Sequence, residues 1–89
     1  MPYVKQEVRS MLVSTTKAIE QNPPISVGDL NYILTKTCLA YLEKNMIVNY
    51  QSYNDVIGAL ECCKLEMYRR AVVPYEQKKI EEAGDVYNV

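Results

Sequence analysis

The stretch that decides the fold is "IGALECCKLEMYRRAVVPYE", residues 57–76. Its apolar residues recur every three or four positions, which predicts an amphipathic helix. One side of that helix carries Ile57, Leu60, Cys63, Met67 and Ala71. Two charged residues, Glu61 and Lys64, interrupt the apolar surface, and Pro74 interrupts the helical pattern itself. The stretch therefore raises one question about burial and another about backbone geometry.

The two charges are close enough to form an ion pair. Glu61, Lys64 and Tyr68 lie within about 60° of one another on a helical wheel, and residues three apart can pair. Burying charges costs several kcal/mol for each ion unless they are paired. Three interpretations stay open. The pair can set the register of a symmetric helix contact. Alternatively, Lys64 can bind a phosphate while Glu61 binds a hydroxyl or base edge and Tyr68 stacks. Finally, the helix can be less buried than its pattern indicates.

Pro74 predicts an interruption of the long helix. It lacks an amide hydrogen and clashes with the carbonyl four residues back, so we expect the helix to end or kink near Val73. The pattern then resumes over about 75–83, and Gly84 suits a C-terminal cap. Arg69 and Arg70 either complement the helix dipole or present planar groups to phosphates. Tyr75 and Glu76 follow the proline and could close over the same area.

Two further helices precede this one. The spacing predicts helices over about 3–21, 29–45 and 51–73. Asp29 is expected to cap the second helix, and Asn49 or Ser52 the third. Within "GDLNY", residues 28–32, Asn31 and Tyr32 project away from the main apolar face and could reach a ligand or a neighbouring subunit. Because the second helix is apolar on two sides, we expect one side to contact another subunit.

The composition excludes several classes of function. The 89 residues predict a single domain, residues 1–89, and the net charge of −1 disfavours broad binding to nucleic acid. Without histidine, the commonest general base is missing, and neither a metal site nor a cofactor site is expected. The three cysteines are interpreted as small core residues of a cytoplasmic protein. Eight tyrosines, with no Trp or Phe, suit half-exposed interfaces and base stacking. No segment predicts a membrane span.

Several motifs resemble those of a known family. They are "MPYVKQE", "GDLNYILT" and the long run from "YNDVIG" through "YRR" and "PYE" to "GDVY". Together they are similar to a small uncharacterised family found in phage and bacterial genomes, with residues 8–27 outside the resemblance. It implies no activity and no site residues. Short, tyrosine-rich helical phage proteins are similar in type to anti-defence sponges, which sequester cyclic nucleotides or cyclic ADP-ribose derivatives.

The sequence therefore predicts an all-α, three-helix chain with a long C-terminal helix kinked at Pro74. We expect it to form a symmetric homo-oligomer, either a dimer or a tetramer. The leading hypothesis is non-catalytic capture of a cyclic nucleotide or cyclic ADP-ribose-type immune signal at a subunit interface, in the host cytoplasm. The alternative is a helical module that binds a host or phage protein. The candidate ligand-binding residues are Asn31, Tyr32, Glu61, Lys64, Tyr68, Arg69, Arg70, Tyr75 and Glu76.

Overall fold

The computed structural model describes residues 1–44 and 47–88. Within those residues all regular structure is helical, which confirms the predicted all-helical fold and its long C-terminal helix. The elements are α1 (Gln6–Met11), α2 (Val13–Gln21), α3 (Val27–Glu43), α4 (Tyr50–Met67), a π-helical segment (Tyr68–Val72) and α5 (Val73–Ala83). The oligomeric assembly stays a prediction.

The first helical region is divided at Leu12. Its amide donates to the carbonyls three and four residues back, at 3.1 and 3.2 Å. Its dihedral angles, φ −98° and ψ 4°, lie in the bridge region outside the α-helical basin. The region begins at Gln6, later than the predicted start at residue 3. Before it, the amide of Val4 donates to the carbonyl of Pro2 at 3.0 Å in a turn.

A capping box starts α3. The hydroxyl of Ser26 accepts a hydrogen bond from the amide of Asp29 at 3.0 Å, and the Asp29 carboxylate accepts one from the amide of Ser26 at 3.3 Å. The prediction that Asp29 is the cap is therefore wrong, because Asp29 occupies the third helical position and Ser26 the cap. The helix ends at Glu43, and the predicted end at Asn45 lies outside the described residues.

A second capping box, formed by Asn49 and Ser52, starts α4. The amide of Asn49 donates to the hydroxyl of Ser52 at 2.8 Å, and the amide of Ser52 donates to the side-chain carbonyl of Asn49 at 3.0 Å. Of the two residues predicted to cap this helix, Asn49 is the cap. Ser52 is only 7% exposed and is the one buried residue among those described. Met46 lies outside the described residues, while Ile47 and Val48 precede the helix in a non-helical conformation.

The helix that contains Pro74 continues past it. Elements α4, the π-helical segment and α5 follow one another without a gap from Tyr50 to Ala83. The amide of Val73 donates to the carbonyl of Tyr68, five residues back, which is the π-helical pattern. In a regular α-helix the ring of Pro74 would clash with the carbonyl of Arg70. The interruption predicted near Val73 therefore takes the form of a change in helix type, which shifts the hydrogen-bond register just before the proline.

Contacts divide the chain into two units, residues 2–56 and residues 57–88 with Met1. The single-domain organisation stays a prediction. No apolar side chain is buried among the described residues of either unit. Cys62 and Cys63 are exposed and Cys38 is half-buried. The interpretation of the cysteines as core residues is therefore wrong for this chain by itself, because the described residues of the two units form no apolar core in which to place them.

Candidate functional site

The predicted pair between Glu61 and Lys64 forms on α4. The ammonium of Lys64 lies 3.1 Å from the carboxylate of Glu61. The side chain of Lys64 is 68% exposed and that of Glu61 is 53% exposed. Of the three interpretations of these charges, the chain by itself matches the one in which the helix is less buried than its pattern indicates. Because water screens the pair, it contributes at most about 1 kcal/mol to the stability of this chain alone.

The two arginines lie in the π-helical segment. Arg69 donates to the carboxylate of Glu66 one turn earlier, where the Glu66 side chain is only 25% exposed. This bond fixes one guanidinium within the helix surface. Arg70 is exposed to solvent and lies at the next position of the segment. Consecutive helical residues point about 100° or less apart, and of the two arginines Arg69 is the one held by a carboxylate.

A groove lies between α5 and the chain that follows it. Its volume is about 510 Å³, which lies within the range of small-molecule sites. Gly84, at φ 90°, ends α5 in a conformation that favours glycine. The amide of Tyr87 then donates to the Asp85 carboxylate at 2.9 Å, which shapes the tail. The groove is lined by Tyr68, Glu76, Lys79, Ile80, Ala83 and residues 84–87.

Two of the predicted ligand-binding residues, Tyr68 and Glu76, lie in this groove. Sequence reasoning did not assign Lys79, Ile80 and Tyr87 to the same site. The signal for Lys79 was its position three residues after Glu76, on the same helix face. The signal for Tyr87 was the glycine three residues before it, which can turn the chain.

The groove contains little positive charge. Lys79 lies 3.4 Å from the Glu82 carboxylate and 5.5 Å from the centre of the Tyr75 ring, so a carboxylate and an aromatic face already contact its ammonium. Glu76 and Asp85 add two carboxylates to the lining. A phosphate placed there would meet more negative than positive charge. Tyr75, which was predicted to bind a ligand, contacts Lys79 through this ring face.

The other predicted residues, Asn31 and Tyr32, belong to the unit of residues 2–56. The side-chain carbonyl of Asn31 accepts a hydrogen bond from the hydroxyl of Thr35 at 3.0 Å. Tyr32 lines a shallow groove of about 250 Å³ with Asp29 and the loop of residues 22–25. The nine predicted residues are thus divided between the two units.

Asp29 is the titratable group with a shifted pKa in this groove. A hydrogen bond with the Ser26 side chain lowers the pKa of the Asp29 carboxyl below its ordinary value of 3.8. Hydrogen bonds from the amides of Ile25 and Ser26 lower it further. The carboxylate is therefore already used to start α3. A negative group at this helix end also disfavours an anionic ligand there, because it occupies the positive end of the dipole.

Both units expose many of their large apolar side chains. On α3, Leu30, Ile33 and Leu34 follow the spacing of a core face, yet each is more than a third exposed. In the unit of residues 57–88, Ile57 and Tyr68 are 63% and 55% exposed. Monomeric soluble proteins rarely leave continuous apolar faces in water. These faces are therefore candidate binding surfaces.

Neither metal coordination nor membrane crossing is supported by the part of the chain that the structure describes. In residues 1–44 and 47–88, no three Cys, Asp or Glu side chains converge as a metal site requires. Over the same residues, no helix combines the length and hydropathy needed to cross a bilayer.

The family model of a domain of unknown function, DUF6899, matches residues 1–86. The chain belongs to this family. The match confirms the resemblance that the "GDLNY", "YRR", "PYE" and "GDVY" motifs indicated, and it extends through residues 8–27. No curated protein and no solved structure matches the chain significantly. Any function of this DUF6899 chain must therefore be argued from its own surfaces.

Proposed function

We propose that this DUF6899 protein is a non-catalytic helical interaction module that packs its apolar helix faces against another polypeptide chain. The observation that carries the proposal is the absence of any buried apolar side chain among the described residues. Hydrophobic residues make up 48% of the sequence, so enough apolar surface exists to form a core. Packing against a second chain removes that surface from water.

The distribution of polar groups supports an interaction surface more than a reaction site. The ion pairs Lys64–Glu61 and Lys79–Glu82 are exposed and lie along helices, where charged pairs can determine partner choice in a helix contact. The grooves are shallow, and the larger one is lined by two carboxylates and a lysine already in contact with partners. Helix faces with apolar residues at spacings of three and four are the surfaces that bind in helix-mediated recognition.

The proposal is tested with the purified full chain. It predicts one of two results: the chain associates, or it remains a monomer that binds the dye ANS through its uncovered apolar faces. Sedimentation velocity gives the mass, and dye fluorescence at the same concentration gives the exposure. A monomer of 10.2 kDa that melts cooperatively and binds no ANS would contradict the proposal, since such a chain has covered its apolar residues alone.

A second candidate is non-catalytic capture of a cyclic nucleotide or cyclic ADP-ribose-type signal, as in phage anti-defence. The observation that favours it is the groove of about 510 Å³ in which the predicted residues Tyr68 and Glu76 meet Lys79 and a second tyrosine, Tyr87. Tyrosine rings can stack on a base, and Lys79 can contact a phosphate once Glu82 is displaced. The negative lining makes this the weaker of the two proposals.

A thermal-shift screen tests the second candidate. Cyclic dinucleotides, cyclic ADP-ribose isomers and ADP-ribose are added to the full chain, and a ligand at about 100 times its dissociation constant should stabilise it by ~2.7 kcal/mol. Tyr68→Ala should abolish the shift, whereas Lys36→Ala, on α3, should leave it unchanged. If no nucleotide at millimolar concentration moves the midpoint, this candidate is wrong.

A further inference from the structure

The helix of residues 57–68 carries a surface that is complementary to itself. We define the central stripe as Ile57, Glu61, Lys64 and Tyr68, which lie within about 60° of one another around the helix. All four side chains are exposed. Along the chain the stripe runs in the order apolar, acidic, basic, aromatic, with the two charged residues at its centre. Reversing the chain direction therefore places unlike charges opposite each other.

The positions in the central stripe share one midpoint. Glu61 and Lys64 are each about 2 Å along the helix axis from the point between Cys62 and Cys63. Ile57 and Tyr68 are each about 8 Å from the same point. A two-fold axis through this point makes the contacts reciprocal. If a residue of one copy contacts a second residue of the partner, then that second residue in the first copy contacts the first residue of the partner. The four residues meet this condition as two matched pairs.

We infer that a second copy of this chain packs antiparallel on the central stripe, with Glu61 against the partner's Lys64 and Ile57 against the partner's Tyr68. The inference rests on the proposed function, and it names the partner. Charge complementarity favours a second copy of this chain as the partner. Under the two-fold axis, each Glu61 carboxylate has the partner's Lys64 ammonium at the matching height along the helix. The net charge of −1 adds little repulsion between copies.

The contact changes the role of the existing ion pair. In the single chain, Lys64 bonds the Glu61 carboxylate of its own helix at 3.1 Å. In the antiparallel pair each ammonium lies between two carboxylates, one from each copy, and the four charges alternate around the axis. Such an arrangement fixes the register of the two helices, since sliding one copy by about one helical turn would place Glu61 opposite the partner's Glu61 or Lys64 opposite the partner's Lys64. Cys62 and Cys63 are free and each lies more than about 90° around the helix from the centre of the stripe, so the contact needs no disulfide.

The test mixes two charge-reversed variants. E61K carries lysine at both charged positions of the stripe, and K64E carries glutamate at both. Each variant alone should dissociate, with a dimer dissociation constant raised roughly tenfold or more because like charges face each other. Mixed in equal amounts, they should form a heterodimer of near wild-type affinity, because every contact between copies is then between opposite charges. Native mass spectrometry distinguishes the heterodimer, with one variant uniformly ¹⁵N-labelled.

The matched control is E82K, which reverses one member of the exposed pair Lys79–Glu82 away from the stripe. It should associate as the wild type does. If E61K and K64E retain the wild-type mass, or mix without preference, the pair acts only within one chain and the inference is wrong. If either variant loses helix, mixing must restore both helicity and mass, and failure to do so also overturns the inference.

The outcomes separate this inference from the proposed function. A wild-type monomer that binds ANS would contradict the second copy as partner and leave a different polypeptide as the occupant of the apolar faces. A wild-type monomer that binds no ANS would contradict both. Preferential heterodimer formation supports both, because only a contact between copies can respond to complementary charge reversal.

Discussion

At the scale of single residues, side chains at helix starts replace the hydrogen bonds that the first turn cannot make. Ser26 and Asp29 satisfy each other's amides at the start of α3, and Asn49 and Ser52 do so at the start of α4. The first helical amides have no partner within a helix, and these boxes supply one. Local side chains therefore determine where both helices begin.

Asp29 makes the stability of α3 depend on pH. Its folded-state pKa is lowered by hydrogen bonds, so its contribution is present above the ordinary value of 3.8 and is lost as the pH falls through the folded value. We expect the wild type to lose more stability than D29N between about pH 5 and pH 2.5. Urea unfolding followed by circular dichroism at both pH values measures the difference. Equal losses in the two proteins would show that the carboxylate has no such role.

Ser52 should matter more than its size indicates. Ser52→Ala removes the hydroxyl that accepts from the amide of Asn49, and we expect the free energy of unfolding to fall by about 1–2 kcal/mol. Ser10→Ala is the control, since that exposed hydroxyl only donates to the carbonyl of Gln6 within a helix. We expect it to change stability by less than about 0.5 kcal/mol. Equal effects of the two substitutions would contradict the cap.

At the scale of elements, the change in helix type before Pro74 determines how the long helix presents its side chains. A π-helical turn holds one more residue than an α-helical turn, so the side chains beyond it are rotated relative to a continuous α-helix. Within α5, Tyr75 and Lys79 lie four residues apart, which places the Lys79 ammonium 5.5 Å from the centre of the Tyr75 ring. The segment also holds Tyr68, Arg69 and Arg70, which the sequence had singled out.

Replacing the proline should restore a regular helix. Pro74→Ala supplies an amide hydrogen and removes the ring, so we expect the bond from Val73 to Tyr68 to be replaced by α-helical bonds and the helix to gain about 1–3 kcal/mol. Chemical shifts and amide exchange over residues 68–76 measure both effects. Pro23→Ala, in the loop before α3, is the control and should leave the helix unchanged. A π-helical segment that survives Pro74→Ala would show that its own five residues determine it.

The positions of the helices can be predicted from the sequence more readily than their ends and interruptions. Apolar spacing locates the three helical regions to within about three residues at their starts because it reflects a periodicity of the backbone that holds over many residues, but it did not predict the division at Leu12. The start of α3 was misplaced by two residues, since both Ser26 and Asp29 are good caps and only the geometry decides between them. The accommodation of Pro74 was also missed, because a proline is compatible with a stop, a kink or a π-helical turn.

The candidate site was predictable only in part. The Glu61–Lys64 pair follows from spacing alone, and so does the separation of Arg69 from Arg70. The groove beside α5 could not be derived, because it depends on how Gly84 directs the tail. The exposure of the charges could not be derived either, since amphipathic spacing indicates which face can be buried and not what covers it.

At the scale of the whole molecule, burial is the central problem. A chain of 89 residues has a thin margin of stability even when it forms a core, and the described residues form none. Small proteins without a sufficient apolar core depend on disulfides, metals or partner subunits for stability. The three cysteines are free, and we propose a partner subunit as the addition that covers the exposed faces. Folding and association should then be one process.

The dependence of thermal unfolding on protein concentration tests this claim most directly. If a second copy completes the core, a hundredfold increase in concentration should stabilise the folded dimer by about 2.7 kcal/mol. Because the dimer unfolds as two chains of 89 residues, the unfolding midpoint should then rise by roughly 5–10 °C, as followed by circular dichroism. A midpoint that stays constant over the same range, with a cooperative transition, would show that folding does not require a second copy, which contradicts the claim.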